Sequence, residues 1–272
     1  MVQYIMEKFS REKHPEVIQT LPFSYFSSDL YLDFAAYIFK KNGENIIVWQ
    51  DILFSHEFPS IFMPKVKENW INSSVAFAAE DDVKAVNDEN IEIILKKPMG
   101  AEFFYETKNF TNPSGDLRTK INKFINNYKF EITNECPKDK IVEFYDFWKS
   151  QRKHESITFD ESEEFFNFCL DNLDKYGIKQ VYVLSDNRLI GLAWGMEHQS
   201  GNWIGLHLKA DYSYRGLSRF LHQERAKLFT NLKEFTLGTG TNDLGIENYK
   251  EELGPAYKKN YFYILMGERK SY

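Results

Sequence analysis

Beyond residue 178 the apolar residues stop recurring every three or four positions and begin to alternate, and this change of period limits the folds open to the chain. Residues 180–184, 189–197 and 202–210 read as strands. The first two are joined by the tight turn Asp186-Asn187-Arg188. A helix over 215–229, a strand over 234–237, a helix over 244–252 and a strand over 261–266 follow. Two antiparallel strands feeding β-α-β-α-β predict a mixed sheet flanked by helices, an α/β fold. Three amphipathic helices precede it, at 116–128, 138–148 and 162–173. The first carries Leu117, Ile121, Phe124, Ile125 and Tyr128 on one face, the second Ile141, Phe144, Tyr145 and Trp148.

The earlier part is patterned more loosely. Residues 11–40 read as helical pieces, one opened by Pro15 and one capped at Ser28-Asp29 before an apolar run. Asn42-Gly43 signals a turn ahead of a strand at 45–49. Pro59 and Pro64 mark 55–70 as loop with a short helix. Residues 74–79, 91–95 and 103–105 are further strand or short-helix candidates. The cluster Asn112-Pro113-Ser114-Gly115 breaks the pattern. Charge changes there too: residues 1–115 hold 11 basic and 17 acidic side chains, whereas 116–272 hold 23 of each. Two domains are expected, 1–115 and 116–272.

Several classes drop out. The longest apolar runs are six residues, 34–39 and 261–266; a membrane-spanning helix needs about 20. The first residues show no basic stretch leading into an apolar one, which argues against a signal peptide. A cytoplasmic protein without integral membrane association is expected. A net charge of −6 is wrong for a general nucleic-acid binder, although Arg118, Lys120 and Lys123 could form a local basic face on one helix. Two cysteines, Cys136 and Cys169, form no Cys-x-x-Cys, and no metal site is expected.

The stretch richest in chemistry runs from Leu206 through His207, Leu208, Lys209, Ala210, Asp211, Tyr212, Ser213, Tyr214, Arg215, Gly216 and Leu217 to Ser218. It reads as strand, short loop and helix N-terminus. The first turn of a helix exposes unpaired N–H groups, and small residues let a phosphate approach them. Gly216 and Ser218 supply the small residues, Arg215 the positive charge.

Tyr214-Arg215-Gly216-Leu217-Ser218 resembles the pyrophosphate loop of the GNAT acyltransferase superfamily, with Ser213 standing where that family has Gln or Arg. Downstream, Asn242 and Tyr249 occupy the positions of a family Asn after a strand and a family Tyr seven residues on. A wider resemblance covers roughly residues 20–265. Residues 114–124, 187–193 and 242–246 are similar to the family named after the C-terminal domain of phosphatidylglycerol lysyltransferase. That family has two tandem GNAT-like domains, each a mixed, largely antiparallel sheet flanked by helices, and is akin to the FemAB peptidyltransferases. The membrane-spanning half of the full lysyltransferase has no counterpart here, so a lipid acceptor is not expected.

The resemblance implies an N-acyltransferase that moves an acyl or aminoacyl group from acyl-CoA or aminoacyl-tRNA to an amine on a small molecule, peptide or protein. Tyr249 would protonate the leaving group. Donor-binding residues would be Leu208, Ala210, Tyr214, Arg215, Gly216, Leu217, Ser218 and Asn242. Backbone N–H groups where the strand at 208–210 splays from its neighbour would hold the oxyanion. His207, with its ordinary pKa near 6.5, and Asp211 are the candidate bases. Alternation puts His207 and Lys209 on one face of that strand and Leu206 and Leu208 on the other. The alternative is a GNAT-like module that binds a ligand or partner without turnover, and Ser213 and the lack of a clear base fit it.

Overall fold

The structure is a computed structural model describing residues 6–15, 18, 21–41, 44–49, 60–62, 74–87, 91–151, 159–239 and 244–268. By its internal contacts the chain forms two compact units, Met1–Phe104 with Gly238–Tyr272, and Tyr105–Leu237. The expected division had one crossing near residue 115. This one has two, so the last helix and strand lie with the N-terminal segment.

The first unit contains β1 (Met6–Lys8), a 3-10 turn (Tyr25–Ser27), α1 (Asp29–Ala35), β2 (Ala36–Lys41), β3 (Glu44–Trp49), β4 (Ser60–Phe62), β5 (Ser74–Ala79), α2 (Glu80–Asn87) and β6 (Ile91–Glu106). Its sheet order is β1-β2-β3-β4-β5-β12-β6, where β12 is Tyr257–Glu268 at the far end of the chain. Only β4 and β5 run parallel. Ser28 caps α1 as expected, its hydroxyl accepting the N–H of Tyr31. The apolar run at 34–39 is shared: α1 ends at Ala35 and β2 takes the rest. Residues 60–62 form a strand where loop and short helix were expected, and Asn42-Gly43 lies outside the described residues. The segments at 91–95 and 103–105 join into one 16-residue strand. Pro98 inside it is accommodated because the register against β12 slips there, from Tyr261↔Gly100 to Phe262↔Pro98. Such a bulge is where a strand tolerates a residue without an N–H.

The second unit holds α3 (Thr107–Thr111), α4 (Gly115–Asn127), β7 (Glu131–Thr133), α5 (Lys138–Ser150), α6 (Phe159–Asp171), β8 (Lys179–Ser185), β9 (Arg188–Glu197), β10 (Trp203–Ala210), α7 (Leu217–Lys227) and β11 (Glu234–Thr239). Gly238 and Thr239 of β11 are counted with the first unit, Tyr105 and Glu106 of β6 with the second. The order is β11-β10-β9-β8-β7, with β10 and β11 parallel and the other pairs antiparallel. Asp186 and Asn187 both take positive φ, +50° and +61°, the backbone of a two-residue hairpin turn that suits Asp and Asn.

Residues 189–196 of β9 are all buried, because helices cover both faces of the sheet. On one face Ala193 packs with Ile121 and Phe124 of α4 and Leu217 and Leu221 of α7. On the other Trp194 stacks on Phe166 of α6, ring centroids 4.8 Å apart, and Phe166 on Tyr145 of α5 at 4.0 Å. Ile141, Phe144, Tyr145 and Trp148 are buried as the helical period predicts. On α4 the expected face is too wide: Ile125 is 42% exposed.

Each unit is thus a mixed, largely antiparallel sheet flanked by helices. Among the described residues no helix is long and apolar enough to cross a membrane.

Candidate functional site

β10 and β11 share register at only two positions, Trp203↔Phe235 and Ile204↔Thr236. No register pair follows, although β10 runs on to Ala210 and β11 to Thr239. On its other side β10 slips against β9, passing from Gly205↔Gly195 to Leu208↔Ala193, so one extra residue is accommodated. β10 therefore bulges at Leu206-His207, just where its pairing with β11 ends. A parting strand pair with a bulge presents backbone N–H groups that no ladder consumes.

The loop that follows β10 is set by Asp211, which is 2% exposed. Its carboxylate accepts four bonds: from the Ser213 N–H at 3.0 Å, the Ser213 hydroxyl at 2.7 Å, the Gln151 amide at 2.9 Å and an Arg188 guanidinium nitrogen at 2.6 Å. Burial alone would raise its pKa, but these bonds and the Arg188 charge hold it below the ordinary carboxylate value. Ser213 spends both its N–H and its hydroxyl on this turn, which gives the serine in the family's Gln/Arg position a structural task.

The chain then enters α7 through Gly216 at φ +94°. A Cβ at Gly216 would lie 2.3 Å from the Lys120 carbonyl oxygen on α4. The missing side chain is needed for packing as well as for approach. Leu217 donates its N–H to Tyr214 and is fully buried, while Phe220 donates to Gly216. Tyr214 packs on Tyr128, centroids 4.9 Å apart, and the Tyr128 hydroxyl approaches the Arg215 N–H at 3.4 Å. The Arg215 side chain is exposed and Ser218 half-buried, so these two offer polar groups at the helix start.

His207 and Lys209 share one face of β10, as alternation predicts. His207 is ringed by Phe165, Phe166 and Trp194, with centroids at 5.4, 5.1 and 5.7 Å. Lys209 lies 3.9 Å above the Trp148 ring. Burial, with the charges of Lys209 and Arg225, pushes His207 well below the ordinary imidazole value, against a bond to the Phe165 backbone. Its Nε2 is buried with no hydrogen-bond partner among the described residues. Leu208 and Ala210 point the other way, into the cluster around α4 and α7.

The structure thus brings His207, Leu208, Ala210, Asp211, Tyr214, Arg215, Gly216, Leu217 and Ser218 into one strand–loop–helix of the second unit. Tyr249 sits half-buried in the first unit, on α8 (Leu244–Glu251). Asn242 lies outside the described residues. Of the basic trio on α4, Lys120 is paired with Asp116 at 2.9 Å. Cys136 and Cys169 are free thiols, and Cys169 is fully buried, its pKa pushed up by that burial. No cluster of metal-ligating side chains occurs among the described residues.

Arg225 and Lys250 are among the buried cations that escaped the sequence reading. Arg225 on α7 is fully buried, donates to the Trp194 carbonyl at 3.0 Å and contacts His222 Nδ1 at 3.0 Å. A Cβ on Gly205 would lie 2.6 Å from its guanidinium, so that glycine admits Arg225 beside the bulge. Lys250, next to Tyr249, is 8% exposed, and its ammonium donates to the carbonyls of Gly238 and Thr239 at 3.0 and 2.7 Å. Neither carried a signal, since each looks like one more charge on an amphipathic helix.

Two units of this kind, the second with a strand pair parting before a glycine-led helix, make a tandem GNAT-like α/β fold. No known family profile matches the sequence, and no curated protein does either. Solved structures match along nearly the whole chain. A conserved protein of unknown function from Bacteroides thetaiotaomicron VPI-5482 superposes with a TM-score of 0.77 at 15% identity, over 97% of this chain and 100% of that one. L-PGS from Bacillus licheniformis gives 0.65 at 13% identity, covering 99% and 95%. The C-terminal domain of a protein assigned as a lysylphosphatidylglycerol synthetase from Agrobacterium fabrum gives 0.63 at 10%, covering 96% and 93%. At these identities the likeness is one of fold, and that fold is the one the resemblance implied.

Proposed function

We propose that this chain is an N-acyltransferase, moving an acyl or aminoacyl group from acyl-CoA or aminoacyl-tRNA to an amine acceptor. The observation that carries the reading is the parting of β10 from β11 after Ile204, beside the bulge at Leu206-His207. A donor lying along that edge would find backbone N–H groups for the carbonyl oxygen that becomes negative in the tetrahedral intermediate. Arg215 and Ser218 at the start of α7 suit its phosphates. Tyr249 is the proposed proton donor to the leaving group, as the family resemblance implies. Metal chemistry forms no part of the proposal. A protein acting on soluble amines in the cytoplasm is the corresponding setting.

Thermal shift with acetyl-CoA, CoA, a longer acyl-CoA and an aminoacyl-tRNA tests this. A ligand at a hundred times its dissociation constant adds about 2.7 kcal/mol. The matching control is Arg215→Glu, whose side chain is exposed; a substitution at Gly216 would perturb packing before it reported on binding. Stabilisation of the wild type, lost in the control, is expected with one donor class. No shift with any of the four sinks the reading.

A second reading, binding without turnover, draws on one observation. Neither candidate base, His207 on β10 or Asp211 in the loop after it, is presented as a base: Asp211 is saturated with hydrogen bonds and His207 is enclosed by aromatic rings. Donor binding without transfer to any amine would favour it.

A further inference from the structure

We propose that Gln151 is a positioning residue for the donor: with Arg188 it grips Asp211 from outside the loop and so sets where Arg215 and the start of α7 meet the donor's phosphates. This inference rests on the acyltransferase reading and deepens it. Every residue it uses belongs to the second unit.

Gln151 follows α5 and keeps its helical backbone, with φ −71° and ψ −17°. Its side-chain nitrogen donates to one Asp211 oxygen at 2.9 Å, and its side-chain oxygen accepts the Tyr212 N–H at 3.3 Å. One planar amide thus holds a side chain and the backbone of the next residue. One turn back on α5, the Phe147 ring carries the Arg188 guanidinium at 4.5 Å. Arg188, the first residue of β9, donates to the other Asp211 oxygen at 2.6 Å. The Asp211 N–H itself goes to the Ile190 carbonyl of β9 at 2.8 Å. The end of α5 and the start of β9 therefore fix Asp211 and Tyr212 together.

These contacts demand particular chemical types. One Asp211 oxygen takes three donors, the Ser213 N–H, the Ser213 hydroxyl and the Gln151 amide, and the other takes Arg188. An amide at 211 would set its own N–H groups against donors in either orientation. Gln151 faces one acceptor and one donor, so a carboxylate there would meet the Asp211 carboxylate and be repelled.

The loop is pinned at both ends. Gln151 and Arg188 hold it at Asp211, and close packing on α4 holds it at Gly216. Arg215 lies between the two pins, and its exposed side chain takes its direction from both. Losing the first pin leaves the second, so the loop stays in place on average but ranges more widely. Grip on phosphate then weakens, while the chemistry at the bulge of β10 keeps its geometry. A loss of that kind raises KM and spares kcat.

The first test reads the clamp without a ligand. In ¹⁵N-labelled protein, Gln151→Met should speed amide exchange at Tyr212 and Ser213 by about 10-fold or more, with the amides of α7 unchanged. Unchanged exchange at Tyr212 and Ser213 overturns the proposal. The second test pairs donors with and without phosphate: acetyl-CoA against S-acetylpantetheine, and lysyl-tRNA against lysyl-adenosine ester, with ethanolamine and lysinamide as probe amines. Gln151→Met and Asp211→Asn should raise KM for the phosphate-bearing donor by about 10-fold or more. Their kcat, and their KM for the phosphate-free donor, should stay within about 3-fold of wild type. At about pH 8, where both carboxylates are charged, Gln151→Glu should be worse than Gln151→Met; a side chain that only filled space would make the isosteric Glu the milder. Equal losses for the two donors of a pair, a fall in kcat with KM unchanged, or a milder Gln151→Glu defeats Gln151 alone. A wild type that transfers from none of the four donors defeats the acyltransferase reading, and this inference with it.

Discussion

Gly216 is under two constraints, and each alone excludes a side chain. Its φ of +94° lies where L-residues are strained, and a Cβ would meet the Lys120 carbonyl at 2.3 Å. Strain of this kind costs of order 1–3 kcal/mol, before counting the clash. Gly216→Ala is therefore expected to lower the urea unfolding free energy by about 3 kcal/mol or more. Arg215→Ala, one residue earlier and exposed, should leave it unchanged. Equal behaviour of the two variants would refute the packing role given to Gly216. The glycine of an expected phosphate loop and the glycine of a helix-to-helix contact are here one residue, and the sequence alone shows only the first of these.

At the scale of elements, much was legible where a helix or strand has one covered face or a turn needs particular residues. Ile141, Phe144, Tyr145 and Trp148 announce α5, and Asp186-Asn187 announces the hairpin between β8 and β9. Less was legible where long-range pairing decides. β6 reads as two short pieces because Pro98 and Gly100 interrupt it, and only the slipped register against β12 shows it as continuous. Likewise nothing local in residues 203–210 tells that β11 leaves β10 after Ile204. The helix α4 separates the two kinds of information. Period alone puts Phe124 and Ile125 together, yet Phe124 is fully buried against Phe130 and Phe220, centroids 4.9 and 5.0 Å away, and Ile125 is 42% exposed. Phe124→Ala should destabilise by about 3–5 kcal/mol, and Ile125→Lys should stay within about 0.5 kcal/mol of wild type. Chemical denaturation distinguishes the two, and a large loss in Ile125→Lys would mean that this face of α4 is covered.

For the whole molecule, two buried titratable groups make stability rise with pH in two separate windows. In the unfolded chain Lys250 titrates near 10.4, but in the fold its pKa is about 7. Between those values the unfolded state binds the extra proton, so stability rises with pH across that window. The urea midpoint of the wild type, relative to Lys250→Met, should climb from pH 7 to pH 9. A difference that stays flat would show that the amine is not depressed. Asp211 works at the other end. Its pKa is held below the ordinary value, so it stabilises the fold above the unfolded carboxylate pKa. That contribution disappears as pH falls through the folded value.

The chain departs from its first compact unit after Phe104 and comes back only at Gly238. β12 lies between β5 and β6, with Ala79 paired to Tyr261 and Ala101 to Asn260. During synthesis on a ribosome β5 and β6 therefore emerge long before the strand that joins them. Both must wait, edges open, while the whole of Tyr105–Leu237 is made. The second unit has all its strands in hand by then and is free to fold first. The order in which the strands are made is thus not the order in which the first unit's sheet can close, and its N-terminal segment keeps strand edges unpaired until the last strand arrives.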